Sequence, residues 1–307
     1  MSIIDYYKHY PDEESCKLKF KAVRDKQGVI CKKCGCTDHY WKGDKWSYEC
    51  KQCRFRTSLR SGTVLQSSKL PFQYWFIAMH LLTATKKSFS AKEMQRQLGH
   101  NRYEPIWAMM HKIRSVMGLR DDTHTLTEAI ELDEGFFETV DRDRDKDEPN
   151  KRGRGSQRQT TVLVMVESKD NPDNTKRNRP DKKVKYLKMK VINNLRSETI
   201  NQKIEIGVDK GTHMTTDDYS SYKKISSTVE HTAHKVNTAN VNKLLPWVHK
   251  AISNAKRLLL DVHHRIDDDF LQNYLNEFCY KFNRRYFGER TMERLLIAGV
   301  QHQWNEL

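Results

Sequence analysis

Residues 127–134, TEAIELDE, and residues 213–219, HMTTDDY, decide how this chain folds. The first stretch alternates. Ile130 and Leu132 fall on one side of a strand, Glu131 and Asp133 on the other. It reads as an opening strand with Asp133 at its C-terminal end, one half of a metal site. The second stretch reads as a short strand that ends in the acids Asp217 and Asp218.

The segments between and after these two complete a sheet. Thr160–Glu167 (TTVLVMVE) is a continuous apolar run and predicts a buried strand. Val184–Ile192 alternates and predicts a third strand. Ser197–Val208 carries Ile200, Ile204 and Val208 at helical spacing; Tyr222 follows on a helix, and Thr228–Val236 supplies a fifth strand. The order β-β-β-α-β-α-β-α, with an acid ending the first and fourth strands, is the RNase H-like plan of an α/β mixed sheet. Asp141–Gly155 is a run of mixed charge with Pro and Gly, read as a mobile hairpin tip, and Lys169–Lys183 is a second polar loop.

Two acids converging from different strands suit two-metal phosphoryl transfer, in which divalent ions activate the attacking oxygen and stabilise the leaving one. Hard oxygen donors select Mg²⁺ or Mn²⁺. The alternative is that Asp133 and Asp217 are turn or cap residues. Glu134 and Asp218 point elsewhere by strand alternation and are second choices.

Composition agrees with a polyanionic partner. The 307 residues hold 55 Lys+Arg against 40 Asp+Glu, a net charge of +15, and the pI is near 9.4. No apolar run approaches the roughly 20 residues of a membrane span. The N-terminus lacks a basic stretch followed by an apolar one, so no secretory signal is expected and a cytoplasmic place is.

Cysteines define a first domain. Seven are present, and four form the pairs Cys31-Lys-Lys-Cys34 and Cys50-Lys-Gln-Cys53, the spacing of a structural zinc ribbon. Cys36 is the spare thiol of the group. Lys32, Lys33, Lys51, Arg54 and Arg56 stand on or beside the knuckles and are expected to meet DNA phosphates. From Pro71 to Met117 the pattern is helical. Ser90 with Glu93 makes a capping box, Gly99 ends that helix, and a second helix carries His111, Lys112 and Arg114 as groove contacts of a helix-turn-helix-like segment. An ordinary helical hairpin is the alternative. The division is then 1–62 zinc ribbon with an N-terminal arm, 63–122 helical DNA-binding segment, and 123–307 catalytic domain.

Taken together, the ribbon, the helical linker, IELDEGFF, TTDDYSSY, LPWVHKAISNAKRLLLDVHH and LQNYLNEFCYKFNRR resemble the zinc-ribbon-bearing insertion-sequence transposases of bacteria and archaea. The resemblance runs over about residues 15 to 297. It implies a DDE-type recombinase that binds inverted terminal repeats, cleaves DNA with water and divalent metal, and joins the freed 3′-hydroxyl to target DNA. It also implies a homo-oligomer acting on paired ends. By position, Asp133 and Asp217 match the first two catalytic acids.

The third position departs from the family pattern, which has a Glu seven residues before a Lys. Here the Lys is Lys256, and His249 stands seven residues before it. Related members carry Asn or His in place of the Glu, so His249 is the expected third residue of a DDH-like variant. It serves as metal ligand, general base or phosphate contact, with Asn254 and Glu277 as rivals, and Lys256 contacts a phosphate near the scissile bond. Arg284 and Arg285, at the end of an apolar-striped helix from Asp268 to Phe282, are expected on DNA backbone. His231, His234, His263 and His264 read as ordinary surface or core histidines. A missing Glu also fits a non-catalytic DNA-binding regulator, and a nuclease without strand transfer is a third reading.

Overall fold

A computed structural model of the protein describes residues 1–140, 156, 158–172, 180–225, 228–235 and 244–303. The chain divides into two units. One comprises Met1–Arg120 with Tyr286–Leu307, the other Asp121–Arg285.

In the first unit, α1 (Ile3–His9) and α2 (Glu13–Gln27) precede a three-stranded antiparallel sheet of β1 (His39–Lys42), β2 (Ser47–Cys50) and β3 (Arg56–Ser58). Asp12 caps α2 by accepting the Ser15 N–H at 2.8 Å. Helix α2 is pinned to the loop after β3 by Arg24, which is buried and donates to the carbonyls of Ser58 (3.0 Å), Leu59 and Ser61 (2.5 Å). Glu13 receives the backbone N–H groups of Phe72 (3.1 Å) and Gln73 (2.8 Å), so it caps α3 (Phe72–Ala84). Helix α4 (Ala91–Gln97) starts on Ser90, whose hydroxyl accepts the Glu93 N–H at 3.0 Å. Gly99, at φ +61°, turns the chain toward α5 (Glu104–Asp122). The last helix, α9 (Arg290–Gln301), packs on α2 and α3, and the Val64 N–H donates to the Gly299 carbonyl at 2.9 Å. The linear division had counted this helix with the catalytic segment.

The second unit holds a five-stranded mixed sheet in the order β6-β5-β4-β7-β8. Strands β4 (Ala129–Glu138), β5 (Gln159–Asp170) and β6 (Lys182–Val191) run antiparallel; β7 (His213–Asp217) and β8 (Glu230–His234) continue parallel from β4. Helix α6 (Ser197–Gly207) crosses from β6 to β7. Helices α7 (Pro246–Val262) and α8 (Asp268–Asn283) follow β8. This is the RNase H-like arrangement. Strand alternation sorts the core into two faces. Val162, Val164 and Val166 of β5 pack with Val248, Ala251, Ala255 and Leu259 of α7 and with Leu271 and Leu275 of α8. Ile130, Leu132, Leu163 and Met165 pack with Ile200 and Ile204 of α6 and with Tyr222.

Two elements differ from the sequence reading. Strand β4 runs on to Glu138, so Asp133 lies at mid-strand, because the antiparallel pairing with β5 extends from Ala129↔Ser168 to Glu138↔Gln159. Tyr222 sits on a five-residue 3₁₀ helix, Ser220–Lys224, where the sequence suggested a helix without setting its type. The acidic-basic hairpin tip, 141–155, lies outside the described residues. No described helix is long and apolar enough to cross a membrane.

Candidate active site

The α7-facing side of β4 reads, in order, Glu131, Asp133, Gly135 and Phe137, and each meets α7 in turn. The Glu131 carboxylate accepts the backbone N–H groups of Trp247 (2.8 Å) and Val248 (2.9 Å). Nε2 of His249 lies 3.1 Å from Oδ2 of Asp133. A Cβ on Gly135 would stand 3.3 Å from Ile252, and the Lys256 ammonium lies 5.7 Å from the Phe137 ring centroid. Strand and helix therefore run alongside each other through the centre. The residue preceding α7, Leu245, offers no side-chain cap, so the strand acid supplies it.

Asp217 reaches the same level from β7. The registered pairs Ile130↔Met214 and Glu131↔Thr215 differ by 84 positions (214 − 130, 215 − 131), and 217 − 133 is also 84. Continuing that register sets Asp217, the last residue of β7, beside Asp133. The Tyr219 N–H donates to Oδ1 of Asp217 at 3.1 Å. Both Asp133 oxygens are engaged, Oδ1 by the Glu134 N–H at 2.8 Å and Oδ2 by His249.

The electrostatics are those of crowded carboxylates. Burial first, then the nearby charges of Glu134 and Asp217, push the Asp133 carboxyl up to about 7. Burial lowers His249, and Asp217 works against that. On the opposite face of β4, Glu134 accepts a 2.6 Å hydrogen bond from the buried Tyr222 hydroxyl. Burial and then Glu134 raise the Tyr222 phenol above its usual range.

Other residues singled out from the sequence fall elsewhere. Asn254 is exposed, five residues from His249 and so about 140° round the helix. Glu277 is buried and pairs with Lys281 at 3.2 Å. Lys256 lies about 10 Å along α7 from His249, at seven residues of 1.5 Å rise. His231 is bonded to Thr216 Oγ1 at 2.8 Å. The structure corrects several of the expected DNA contacts. Arg114 is 1% exposed and donates to the Phe89 carbonyl at 3.0 Å, and His111 is equally buried. Both sit on the core face of α5 with Met110, Ile113 and Met117. Lys112 is half-buried on the Gln66 carbonyl at 3.0 Å. Arg284 is buried against Asp121, and Arg285, exposed, donates to the carbonyls of Phe282 (2.7 Å) and Val184. Lys32, Lys33, Lys51, Arg54 and Arg56 remain exposed around the cysteine knuckles. Arg54 and Arg56 share the Glu49 carboxylate at 3.5 and 3.1 Å.

Sequence reasoning missed Glu131 and Tyr222 as parts of the centre. Alternation had placed Glu131 on the Asp133 face, which was the available signal. That it caps α7 depends on where the helix lands.

The cysteine cluster is the tighter constellation. Among the described residues, Cys31, Cys34, Cys50 and Cys53 form the one group of three or more ligand side chains whose donor atoms all lie within 4.8 Å of one another. Cys31–Cys53 and Cys34–Cys50 sulfurs are 3.5 Å apart. Four thiolates at about 2.3 Å around a tetrahedral zinc stand about 3.8 Å apart, so the sulfurs fit that ion. The two knuckles are the same turn made twice. Gly35 N–H donates to the Cys31 carbonyl (2.9 Å) and Arg54 N–H to the Cys50 carbonyl (3.1 Å), with φ of +73° and +59° at Gly35 and Arg54. Cys36 lies outside the cluster and accepts the Asp38 N–H at 3.4 Å.

The ISXO2-like transposase domain matches residues 125–283. A pre-cleavage Mos1 transpososome is 13% identical over 78% of this chain and 82% of that one, with a TM-score of 0.28. The Mos1 strand transfer complex is 12% identical over 78% and 82%, with a TM-score of 0.29. No match was found among curated protein sequences. The structural likenesses are distant, and the assignment rests on the domain match, which takes in the sheet, both aspartates and His249: the chain belongs to the ISXO2-like transposase family.

Proposed function

We propose that this transposase binds the terminal inverted repeats of its element and cleaves and joins DNA at Asp133, Asp217 and His249. The observation that carries the reading is the parallel pairing of the two strands that bear these acids, in a register that continues toward Asp133 and Asp217, with His249 bonded to the first acid and the charge of Asp217 acting on it. Asp133 and Asp217 would hold Mg²⁺ or Mn²⁺. Their oxygens are hard donors, and positive charge would relieve the repulsion that raises Asp133. Divalent ions bound there supply activation of the attacking oxygen and stabilisation of the leaving one. His249 orients Asp133 through its imidazole and takes the third place that a carboxylate holds in DDE enzymes, giving a DDH-like centre. Lys256 contacts a phosphate further along the strand. The four cysteines hold one structural zinc that fixes the knuckles and so presents Lys32, Lys33, Lys51, Arg54 and Arg56 to DNA backbone. A homo-oligomer on paired ends, working in the nucleoid of a prokaryotic cell, completes the reading.

The test is cleavage and joining of labelled element-end DNA with Mg²⁺ or Mn²⁺. Asp133→Asn and Asp217→Asn are expected to abolish both steps while leaving DNA binding intact. Full activity in either variant would refute the centre. The His in the third place also fits a DNA-binding regulator without catalysis, and that reading stands if wild-type protein binds the ends and cuts with neither metal. Metal analysis of the full chain is expected to return one zinc, lost in Cys50→Ser.

A further inference from the structure

The α7-facing side of the sheet changes character from one end to the other. On β5 it is Val162, Val164 and Val166, packed under α7. On β7 that side carries His213, Thr215 and Asp217, and on β8 it carries Glu230, Thr232 and His234. Strand alternation sorts them so, and the 3.1 Å contact between Nε2 of His213 and Oγ1 of Thr232 puts the two sets on one face. All six are polar, and none is fully buried. Such a face contributes nothing to a hydrophobic core and suits a polar ligand. Strand β8 pairs with β7 in parallel, from His213↔Glu230 to Asp217↔His234. His234 is therefore the next side chain in the row that the register carries from Asp133 to Asp217, one strand further out. The sequence reading passed it over as an ordinary histidine.

The row has the spacing of a two-ion centre. Neighbouring strands stand about 4.8 Å apart, and the ions of two-metal phosphoryl transfer stand about 3.5–4 Å apart. Three side chains on three adjacent strands thus have room for two ions, with the middle residue, Asp217, shared between them. At one end of the row His249 lies 3.1 Å from Asp133. At the other end, beyond Asp217, the row closes on a second imidazole. We infer that His234 is a metal ligand, which holds the second ion together with Asp217. This rests on the reading of Asp133 and Asp217 as a metal centre and adds a nitrogen donor to it. A ring nitrogen is softer than a carboxylate oxygen, so His234 favours Mn²⁺ over Mg²⁺.

The test uses full-length protein made with ¹⁵N-labelled histidine and Mn²⁺ alone, without DNA. Pulsed electron paramagnetic resonance reads whether a histidine nitrogen is coupled to the bound ion, and calorimetric titration reads affinity. Wild type is expected to bind Mn²⁺ at a site lost in Asp217→Asn and to show a ¹⁵N coupling there. That coupling is expected to disappear in His234→Ala and to persist in His249→Ala. Mn²⁺ affinity at this site should fall at least about 10-fold in His234→Ala. His234→Glu restores a ligand without nitrogen, so affinity should recover while the coupling stays absent. A histidine with a structural role alone would give no coupling to lose. An Asp217-dependent site with no ¹⁵N coupling in wild type, or a coupling unchanged in His234→Ala, overturns the assignment of His234 and leaves the two-acid centre standing. Mn²⁺ binding that survives both Asp133→Asn and Asp217→Asn, or no binding at all, overturns the metal centre itself, and His234 with it.

Discussion

Glu131→Ala separates the strand that bears Asp133 from the helix that bears His249. In wild type one carboxylate oxygen accepts two α7 N–H groups at 2.8 and 2.9 Å, and no side chain of Leu245 can replace it. Loss of a helix cap costs about 0.5–2 kcal/mol, and hydrogen bonds to charged groups contribute about 1.5–3 kcal/mol each. With solvent reaching the half-buried Trp247 end, the expected loss is about 2–4 kcal/mol. For a unit of this size that lowers Tm by about 4–16 °C. His249 lies one residue past the second of the capped N–H groups, so fraying of that turn moves its imbidazole off Asp133. Misplacement by about 1 Å can reduce rate about 10²-fold, and end cleavage should fall by that order well below the new Tm. Glu131→Gln keeps an oxygen that can accept both N–H groups, and it should retain cleavage. Burial raises the Glu131 carboxyl above its usual range, against the two backbone bonds that lower it. The folded state then holds that proton more tightly than the unfolded one, so stability falls as pH rises through the interval above the ordinary Glu pKa. Glu131→Gln should remove this slope. Differential scanning calorimetry across pH, together with gel-based cleavage, reads all of these. Wild-type cleavage by Glu131→Ala, or a loss in Glu131→Gln equal to that in Glu131→Ala, would refute the positioning argument.

Three further outcomes follow from the packing. Lys188 is buried, and burial lowers its ammonium pKa. Lys188→Met should raise Tm near neutral pH, with a gain that shrinks as pH climbs toward the ordinary Lys range, because wild-type stability itself rises there; thermal melts at several pH values check it. Asp121 accepts from Arg284, from Asn283 Nδ2 (3.0 Å) and from the Tyr186 hydroxyl (3.0 Å) in a buried cluster, so Asp121→Ala should destabilise by about 3–5 kcal/mol in urea unfolding. Arg54, at φ +59°, occupies the place that Gly35 fills in the other knuckle; Arg54→Gly should leave zinc content and Tm nearly unchanged while weakening DNA binding, with a shallower salt dependence.

Periodicity alone made most of the second unit legible. Alternation in TEAIELDE and the apolar run TTVLVMVE identify β4 and β5, and the spacing of Ile200, Ile204 and Val208 identifies α6, because each pattern is a local consequence of side-chain direction. The CxxC pairs were legible for the same reason, since each knuckle closes within a few residues. Arg114 and Arg284 show the limit. Their charge suggested solvent and phosphate, yet one lies under the Phe89 carbonyl and the other on Asp121, partners 25 and 163 residues away.

What the chain determines by itself is which residues share a strand face or a helix face, since that depends on a fixed repeat along the backbone. What only the tertiary structure decides is which faces meet. The 84-residue register between β4 and β7, the landing of α7 on Glu131, and the burial of Arg114 and Arg284 are all set by long-range packing. Its energy depends on the whole core, and no short stretch of sequence contains it.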